Sequence, residues 1–518
     1  MKEIIIEKKY DIPIIIASLA LVVLASGFFM FFPEASVEVA NKIFKMVTVS
    51  FGTPILLYAF GLIIIALFLS FSKYGNIRFG NEKPDYSTFN YISMMACAGV
   101  GSGTIYWAFL EWSYYIKTPP FRLIAQSQEA FEWSVTYSMF HWGITAWAIY
   151  CITALPVLYS YHIKKNRSLR LSDITLTILK SKAAKPIGRL IDCLYPFACI
   201  AGLIIVIALG VPVISAAVSL VFGIADSLFL KLAIVFIVTI IYTISSFFGI
   251  EKGMQKISSS GTYFIIALML YILFMGPTQF IIENTSNSIA LMAQNYLKMS
   301  LYTDSIGGKG FPQSWTAYFW AYWMIFIPMM CVFVARVSKG RTVREVIFSM
   351  IGGGTAGIAT LFGIIGSFTM KTELDGKVLV SKMVSDGKAS NAISEVLSTL
   401  PFPSIIMIIF IVATFLLLAT TLDSSAFSIA CNTQLKLDKD GNPSKGIKIF
   451  WCLALVTIPI VFIIIGAPVS AMQSCILIFA LPIMLLTGTL IMGMFKWMKE
   501  DYGTLTSQEI IKMHEIKK

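Results

Sequence analysis

The 518 residues are 57% hydrophobic and only 13% charged, about half the charged share of an ordinary soluble chain, which excludes a large soluble enzyme and indicates a multi-pass membrane protein. The net charge of +12 gathers in loops between apolar runs, so it reports membrane orientation and does not point to a nucleic-acid partner. The eight cysteines fall in or beside those runs and read as small buried hydrophobes, while three histidines, of which only His141 lies inside a run, are too few for a haem or copper oxidase.

Apolar stretches of about 20 residues, the length that crosses the hydrocarbon core, recur near 12–32, 51–72, 91–112, 136–160, 193–216, 229–249, 261–281, 315–335, 346–369, 403–430, 448–467 and 470–494. These are twelve expected spans, with no sizeable soluble domain left over. The first is too long and too poorly flanked by small residues for a cleaved signal peptide. Between spans 4 and 5, Lys164, Lys165, Arg167, Arg170, Lys180, Lys182, Lys185 and Arg189 face only Asp173 and Asp192. Arg336, Lys339, Arg341 and Arg344 follow span 8, and four lysines lie in 433–448. The alternate loop at 371–400 balances Lys371, Lys377, Lys382 and Lys388 against Glu373, Asp375, Asp386 and Glu395. This asymmetry, with an even number of spans, predicts that both termini are cytoplasmic. The basic loop at 161–192 also suits anionic membrane lipid.

Span 3 carries Gly99-Val100-Gly101-Ser102-Gly103. Each glycine costs a helix about 1 kcal/mol relative to alanine. The stretch can therefore unwind where it lines a cavity, freeing carbonyls for a cation or substrate. Close packing through small residues is the competing reading. Glu111, two turns on, is expected near the outer interface, followed by Tyr114 and Tyr115. Span 4 opens Phe140-His141-Trp142, and at 100° per residue Trp147 and Tyr150 fall within about 140° of Trp142. One face thus carries three large aromatics. His141 reads as a hydrogen-bonded packing residue and not as a proton relay.

Residues 282–314 are too polar to span. Ile282, Ile289, Leu291, Met292, Tyr296 and Leu297 would form the apolar face of a helix lying along the surface. Span 8 then places Trp320 and Trp323 one turn apart, well inside the span, with Phe319, Tyr322 and Phe326 around them. Tryptophan more usually occupies the headgroup belts. Buried aromatic faces suit a quaternary ammonium cation, which donates no hydrogen bond and gains about 0.5–2 kcal/mol from each ring quadrupole. Ordinary aromatic packing is the alternative. If the span-4 face meets Trp320 and Trp323, the result is an aromatic box.

Span 10 contains Thr420-Thr421-Leu422-Asp423-Ser424-Ser425. Paired hydroxyls and nearby carbonyls are hard oxygen donors of the kind sodium uses, and an intramembrane carboxylate is a functional candidate by default. Back-bonding of the hydroxyls along their own helix is the competing reading. The tail after Trp497 is short and mixed in sign, as in a solvated helix or a frayed end. Spans 3 and 8, interrupted or aromatic-rich and five apart, match the pattern of an inverted repeat whose broken helices mark a binding site.

Together these segments resemble the betaine/carnitine/choline transporter family over essentially all of the membrane portion. The resemblance rests on Trp315-Thr316, Trp320 and Trp323, on the basic loop Ala335-Arg336-Val337-Ser338-Lys339-Gly340-Arg341-Thr342, and on His141-Trp142, Trp147 and Tyr150. Tyr322 stands where tryptophan is usual. The resemblance implies an all-α polytopic membrane protein of twelve transmembrane helices with a LeuT-type inverted five-helix repeat in helices 3–12, and a homotrimer. It divides the chain into two peripheral helices (12–90), a first repeat (91–281), the interfacial segment (282–314), a second repeat (315–494) and a cytoplasmic tail (495–518). It implies a trimethylammonium substrate held by Trp142, Trp147, Tyr150 and Trp323, with Gly99, Gly101 and Gly103 beside its carboxylate end. Trp320 joins the aromatic wall, and Tyr114 and Phe326 fall at substrate-contact or access positions.

The linking segments look like the carnitine branch: Gly80-Asn81-Glu82, Tyr114 to Phe121, and Tyr302 to Pro312. Members of that branch are sodium-independent exchangers in which a span-7 arginine replaces the ion. Here Gly261 or Thr262 stands at that position, and no arginine occurs in 253–281. The glycine motif is intact and both span-10 hydroxyls are present. The expectation is therefore sodium-coupled uptake, with backbone oxygens of Cys97 and Val100 joining Thr420 and Thr421 around a sodium coupling ion, and no other cofactor. Substrate:product exchange is the alternative. Gly103 argues against proton coupling, because proton-coupled choline members tend to carry aspartate there. A channel would need a ring of polar side chains. An enzyme would need a nucleophile with a base, and His141 has no evident partner in the sequence.

Overall fold

Hydropathy of this strength leaves the backbone one economical solution, the helix, which satisfies its own N–H and C=O groups in lipid. The computed structural model describes residues 10–99, 101–166, 168–179, 184–248, 255–308, 310–438, 442–466, 473–474 and 477–514. Val100, Arg167, Lys180, Lys182, Cys475 and the last four tail residues lie outside these. Among the described residues the regular elements are helices, with two isolated bridges, Tyr10 to Gln434 and Arg78 to Thr342.

Ten helices are individually long and apolar enough to cross a bilayer: Ile12–Phe31, Gly52–Phe71, Gln128–Ile163, Lys185–Phe222, Leu228–Phe247, Lys256–Met275, Val343–Leu374, Pro403–Thr433, Lys445–Ile464 and Ala480–Tyr502. Two further spans are bent pairs, so the total reaches twelve. Span 3 bends by 63° after Thr88–Ala98, and span 8 bends by 54° between Pro312–Ile325 and Ile327–Val337. The first bend falls on the glycine stretch. The second follows from Pro328, which lacks an amide hydrogen and crowds the preceding turn; the expectation for span 8 did not include it. Several limits also move. Span 4 starts at Gln128 and not near 136, span 5 runs on to Phe222, and span 12 runs on to Tyr502, its helix carrying Lys496 and Lys499.

Spans 4 and 5 form the centre, with 94% and 89% of their most apolar stretches buried, against 33% and 39% for spans 1 and 2. The polar segment after span 7 is a helix, Thr278–Leu301. Its packing face is narrower than the hydropathy suggested. Met292 and Ile281 are buried, and the Tyr296 hydroxyl pairs with Thr145 Oγ1 at 2.6 Å. Ile282, Ile289 and Leu297 point outward, toward the surroundings a lipid-facing stripe requires. The seven described cysteines are free thiols, five buried and Cys97 and Cys193 half-buried.

Polar contacts sort the connections onto two faces. Asp11 N–H donates to the Thr433 carbonyl at 3.0 Å, and Arg170 pairs with Asp11 at 3.2 Å. Lys164 pairs with Asp501 at 2.7 Å, and Arg336 donates to Asn442 at 3.0 Å. The beginning and end of the described chain therefore share one face with the connections after spans 4, 8 and 10. On the other face Arg122 meets Asp304 at 3.4 Å and Lys371 meets Asp375 at 2.6 Å.

The tail is docked. Its helix Ser507–Met513 opens with a Thr506–Glu509 capping box, and Lys73 donates to the carbonyls of Gly503 and Leu505 at 2.7 and 2.8 Å. His514 sits 3.3 Å from Asn81 Oδ1 and 3.2 Å from the Tyr502 hydroxyl. Burial, with the Arg78 guanidinium adding to it, holds the His514 imidazole below the usual histidine range of 6.5. Docking thus favours the neutral ring; its contribution is complete above about pH 6.5 and is lost as the pH falls. Amide exchange across 507–513, corrected for its intrinsic pH dependence, is expected to rise between pH 7.5 and 5.5. His514→Asn should flatten that rise, and identical profiles for the two proteins would refute the assignment.

Candidate functional site

The site starts at the break in span 3. Gly101 is extended (φ −115°, ψ 174°) before the helix resumes over Ser102–Tyr115. Thr104 Oγ1 donates to the Gly99 carbonyl at 2.8 Å, satisfying one group that the unwinding frees. The three glycines each meet a different element. A Cβ on Gly99 would lie 2.7 Å from Trp147 Cζ2, one on Gly101 would lie 3.3 Å from Thr421 Oγ1, and one on Gly103 would lie 3.8 Å from Val206 and 4.0 Å from the Tyr322 hydroxyl. Spans 4, 10, 5 and 8 thus converge on one short segment.

Four of the expected aromatic residues form a single cluster. Trp323 is its hub, with ring centroids 5.3 Å from Trp142, 6.2 Å from Trp147 and 4.8 Å from Tyr150. Trp147 and Tyr150 lie 6.1 Å apart, edge to face. Span 4 is not the continuous helix assumed for the 100° reading: Gly143 (φ −92°, ψ −135°) interrupts it between Trp142 and Trp147. The rings still converge, because the second half of the span packs directly on span 8.

The box is held by polar bonds on its outer side. Trp142 Nε1 donates to Glu111 Oε2 at 2.7 Å, and Trp323 Nε1 donates to the His141 carbonyl at 2.9 Å. Trp147 is held differently, by close approach of backbone. Its indole lies between Gly99 and Gly354, and a Cβ on Gly354 would come within 2.1 Å of Cδ2. Only glycine admits the ring there.

Three expected contributors lie elsewhere. Trp320 meets Phe140 and His141, at 5.4 and 5.8 Å, and not the four rings. Tyr114 belongs to a second aromatic group: its hydroxyl pairs with Tyr106 at 2.8 Å and its ring faces Trp107 and Trp315. Phe326 sits at the span-8 bend against Tyr322, at 5.2 Å. Glu111 is fully buried in the helix packing, where Tyr115 and Trp142 both donate to it. His141 is the hydrogen-bonded packing residue expected: Nδ1 lies 2.8 Å from the Tyr115 hydroxyl and Nε2 lies 3.0 Å from Thr316 Oγ1. Sequence reasoning also missed Gly354 and Phe362, whose ring lies 5.4 Å from Trp142. The run Gly352-Gly353-Gly354 was the available signal for the first.

Around the expected ion position, Thr420 and Thr421 donate back to the Leu416 and Leu417 carbonyls at 2.8 and 3.0 Å. Their lone pairs stay available to a cation. The Cys97 thiol neighbours Thr262, and a Cβ on Gly261 would touch Leu416 and Leu417 at 3.2 and 3.3 Å. Positions 261 and 262 therefore lie between spans 3 and 10. The expected ligand Val100 lies outside the described residues. Asp423 turns away, accepting from Ser245 at 2.6 Å and from Ser246, and pairing with Lys448 at 3.2 Å. A buried carboxylate so paired is a structural joint between spans 6, 10 and 11.

The basic loop after span 8 also has a structural role. Gly340 takes φ +73°, where a Cβ would lie 2.6 Å from the Glu82 carbonyl, and its N–H donates to Phe79 at 2.7 Å. Ser338 Oγ pairs with the Tyr91 hydroxyl at 2.7 Å, and Arg341 donates to Tyr86 and Thr88 at 2.6 and 3.1 Å. The motif thereby pins the base of span 3 to the end of span 8.

A family model described as betaine/carnitine/choline family transporter matches residues 13–503. The chain is similar to a carnitine transporter of Acinetobacter baumannii, 35% identical over 495 residues, covering 96% of this chain and 90% of that protein. It is also similar to an uncharacterized transporter of Escherichia coli K12, YeaV, 34% identical over 454 residues, covering 88% and 94% respectively. The chain is therefore a member of the betaine/carnitine/choline transporter family.

Proposed function

We propose that this protein carries a trimethylammonium compound such as carnitine or glycine betaine across the cytoplasmic membrane by alternating access, coupled to sodium. The observation that carries the substrate class is the four-ring cluster of Trp142, Trp147, Tyr150 and Trp323 at the meeting point of two interrupted spans. A charged head group without hydrogen-bond donors is what such rings hold best. The relative named as a carnitine transporter supports the same class. The basic face that carries both ends of the described chain is the cytoplasmic one in this reading.

Sodium coupling is supported by the convergence of Gly101, Thr421, Cys97 and Thr262, at a place where spans 3, 7 and 10 bring hydroxyl and backbone oxygen and no arginine. Hydrogen-bond-strength contacts to a charged group contribute about 1.5–3 kcal/mol, so Thr421→Val should weaken apparent sodium affinity by roughly 10- to 100-fold. The test is uptake of labelled carnitine and glycine betaine into proteoliposomes, comparing an inward sodium gradient with sodium-free vesicles preloaded with unlabelled substrate. Sodium-driven accumulation into empty vesicles, lost in Thr421→Val, is the expected result. Uptake only after preloading, indifferent to sodium, would establish the second reading, exchange, which the carnitine-like linking segments favour.

A further inference from the structure

We propose that Glu111 is the buried counter-charge of the aromatic box and the positioning residue of its Trp142 wall, selecting a cationic head group over a neutral one of the same shape. The inference rests on the box reading above. The Glu111 carboxylate is wholly buried. One oxygen accepts from Trp142 Nε1 at 2.7 Å and the other accepts from the Tyr115 hydroxyl. That hydroxyl spends its proton on Glu111, so it accepts from His141 Nδ1 at 2.8 Å, leaving Nε2 to accept from Thr316 Oγ1 at 3.0 Å. Every donor and acceptor in this chain is used when His141 is neutral. The histidine therefore does not cancel the carboxylate, although it lies 3.7 Å away.

Among the described residues no lysine or arginine pairs with Glu111. The contrast with Asp423 is direct, since that buried acid has Lys448 at 3.2 Å. A carboxyl group fully buried in the helix packing without a fixed cation needs a reason. Here the missing positive charge is supplied by the substrate, one indole away. A ring that donates its N–H to a carboxylate also presents a more negative face to a cation on its other side.

Glu111→Gln keeps the shape and an acceptor for Trp142 and removes the charge. In proteoliposomes holding the full chain, two quantities are measured: KM for labelled glycine betaine and the inhibition constant of tert-butylacetate, the same molecule with carbon in place of the quaternary nitrogen. Glu111→Gln is expected to raise KM by about tenfold while moving inhibition by less than about twofold, because the tert-butyl head beside the ring carries no charge to be attracted. Glu111→Asp keeps the charge and shortens its reach. It should hold the cation preference within about threefold of wild type, even where overall affinity drops. An unchanged ratio in Glu111→Gln, or a preference lost equally in Glu111→Asp, overturns the counter-charge. A wild type with no preference for the cation would instead defeat the box reading itself.

Discussion

Trp323→Ala is expected to reduce trimethylammonium uptake by about 100-fold or more. The estimate combines one lost ring, up to about 2 kcal/mol for a desolvated cation, with about 1 kcal/mol of lost ring–ring support. Trp323 is the ring that touches all three others, at 5.3, 6.2 and 4.8 Å, so its removal also frees Trp142, Trp147 and Tyr150 to move. Truncating a buried tryptophan costs about 3–5 kcal/mol of stability, which makes the folding control part of the experiment. A single symmetric peak on size exclusion in detergent would show that the variant assembles normally. Trp323→Phe serves as the gentler variant: it keeps a ring, gives up the hydrogen bond to the His141 carbonyl, and should raise KM by roughly 5- to 10-fold. Wild-type transport in either variant would mean that the cluster is only packing.

The second large effect comes from a residue outside the four rings. Gly354→Ala places a methyl 2.1 Å from Trp147 Cδ2 and 2.2 Å from Cε2, where carbon atoms need about 3.5 Å. The indole cannot retreat, because a Cβ on Gly99 behind it would already lie 2.7 Å from Cζ2. Relief requires Trp147 to leave its slot, and overpacking of this kind typically costs 1–3 kcal/mol or more. Substrate KM should rise by about 10- to 100-fold with the chemistry of every ring unchanged. Combining Gly354→Ala with Trp147→Phe should give a smaller loss than the two single effects added, since the smaller ring fits the narrowed slot. Strict additivity would show that the two positions are not in contact.

Much of this site was legible before any coordinates. Spacing puts Trp142, Trp147 and Tyr150 on one side of span 4, the family resemblance adds Trp323, and the four rings cluster. The unwound stretch at Gly99 to Gly103 was readable because three alternate glycines leave a helix little reason to continue. What escaped reading depended on partners distant in the chain. The place of Glu111 along span 3 does not reveal that it is buried in the helix packing with Trp142 and Tyr115 both donating to it. Trp320 and Trp323 look equivalent one turn apart. Yet Trp320 turns toward Phe140 and His141, while Trp323 reaches both halves of span 4, Trp142 before the Gly143 break and Trp147 and Tyr150 after it.

The sequence by itself determined the helical class, the apolar spans, the basic loops and the family, because each is a local property. A bilayer demands about 20 apolar residues at a time, and a motif carries its meaning in its own spacing. The tertiary structure decided which residues share the site. The 54° bend at Pro328, the break at Gly143 and the slot between Gly99 and Gly354 set how each helix face is turned. Rotation and bending of one span against another are settled by packing between segments far apart in the chain, and hydropathy along one dimension carries no record of them.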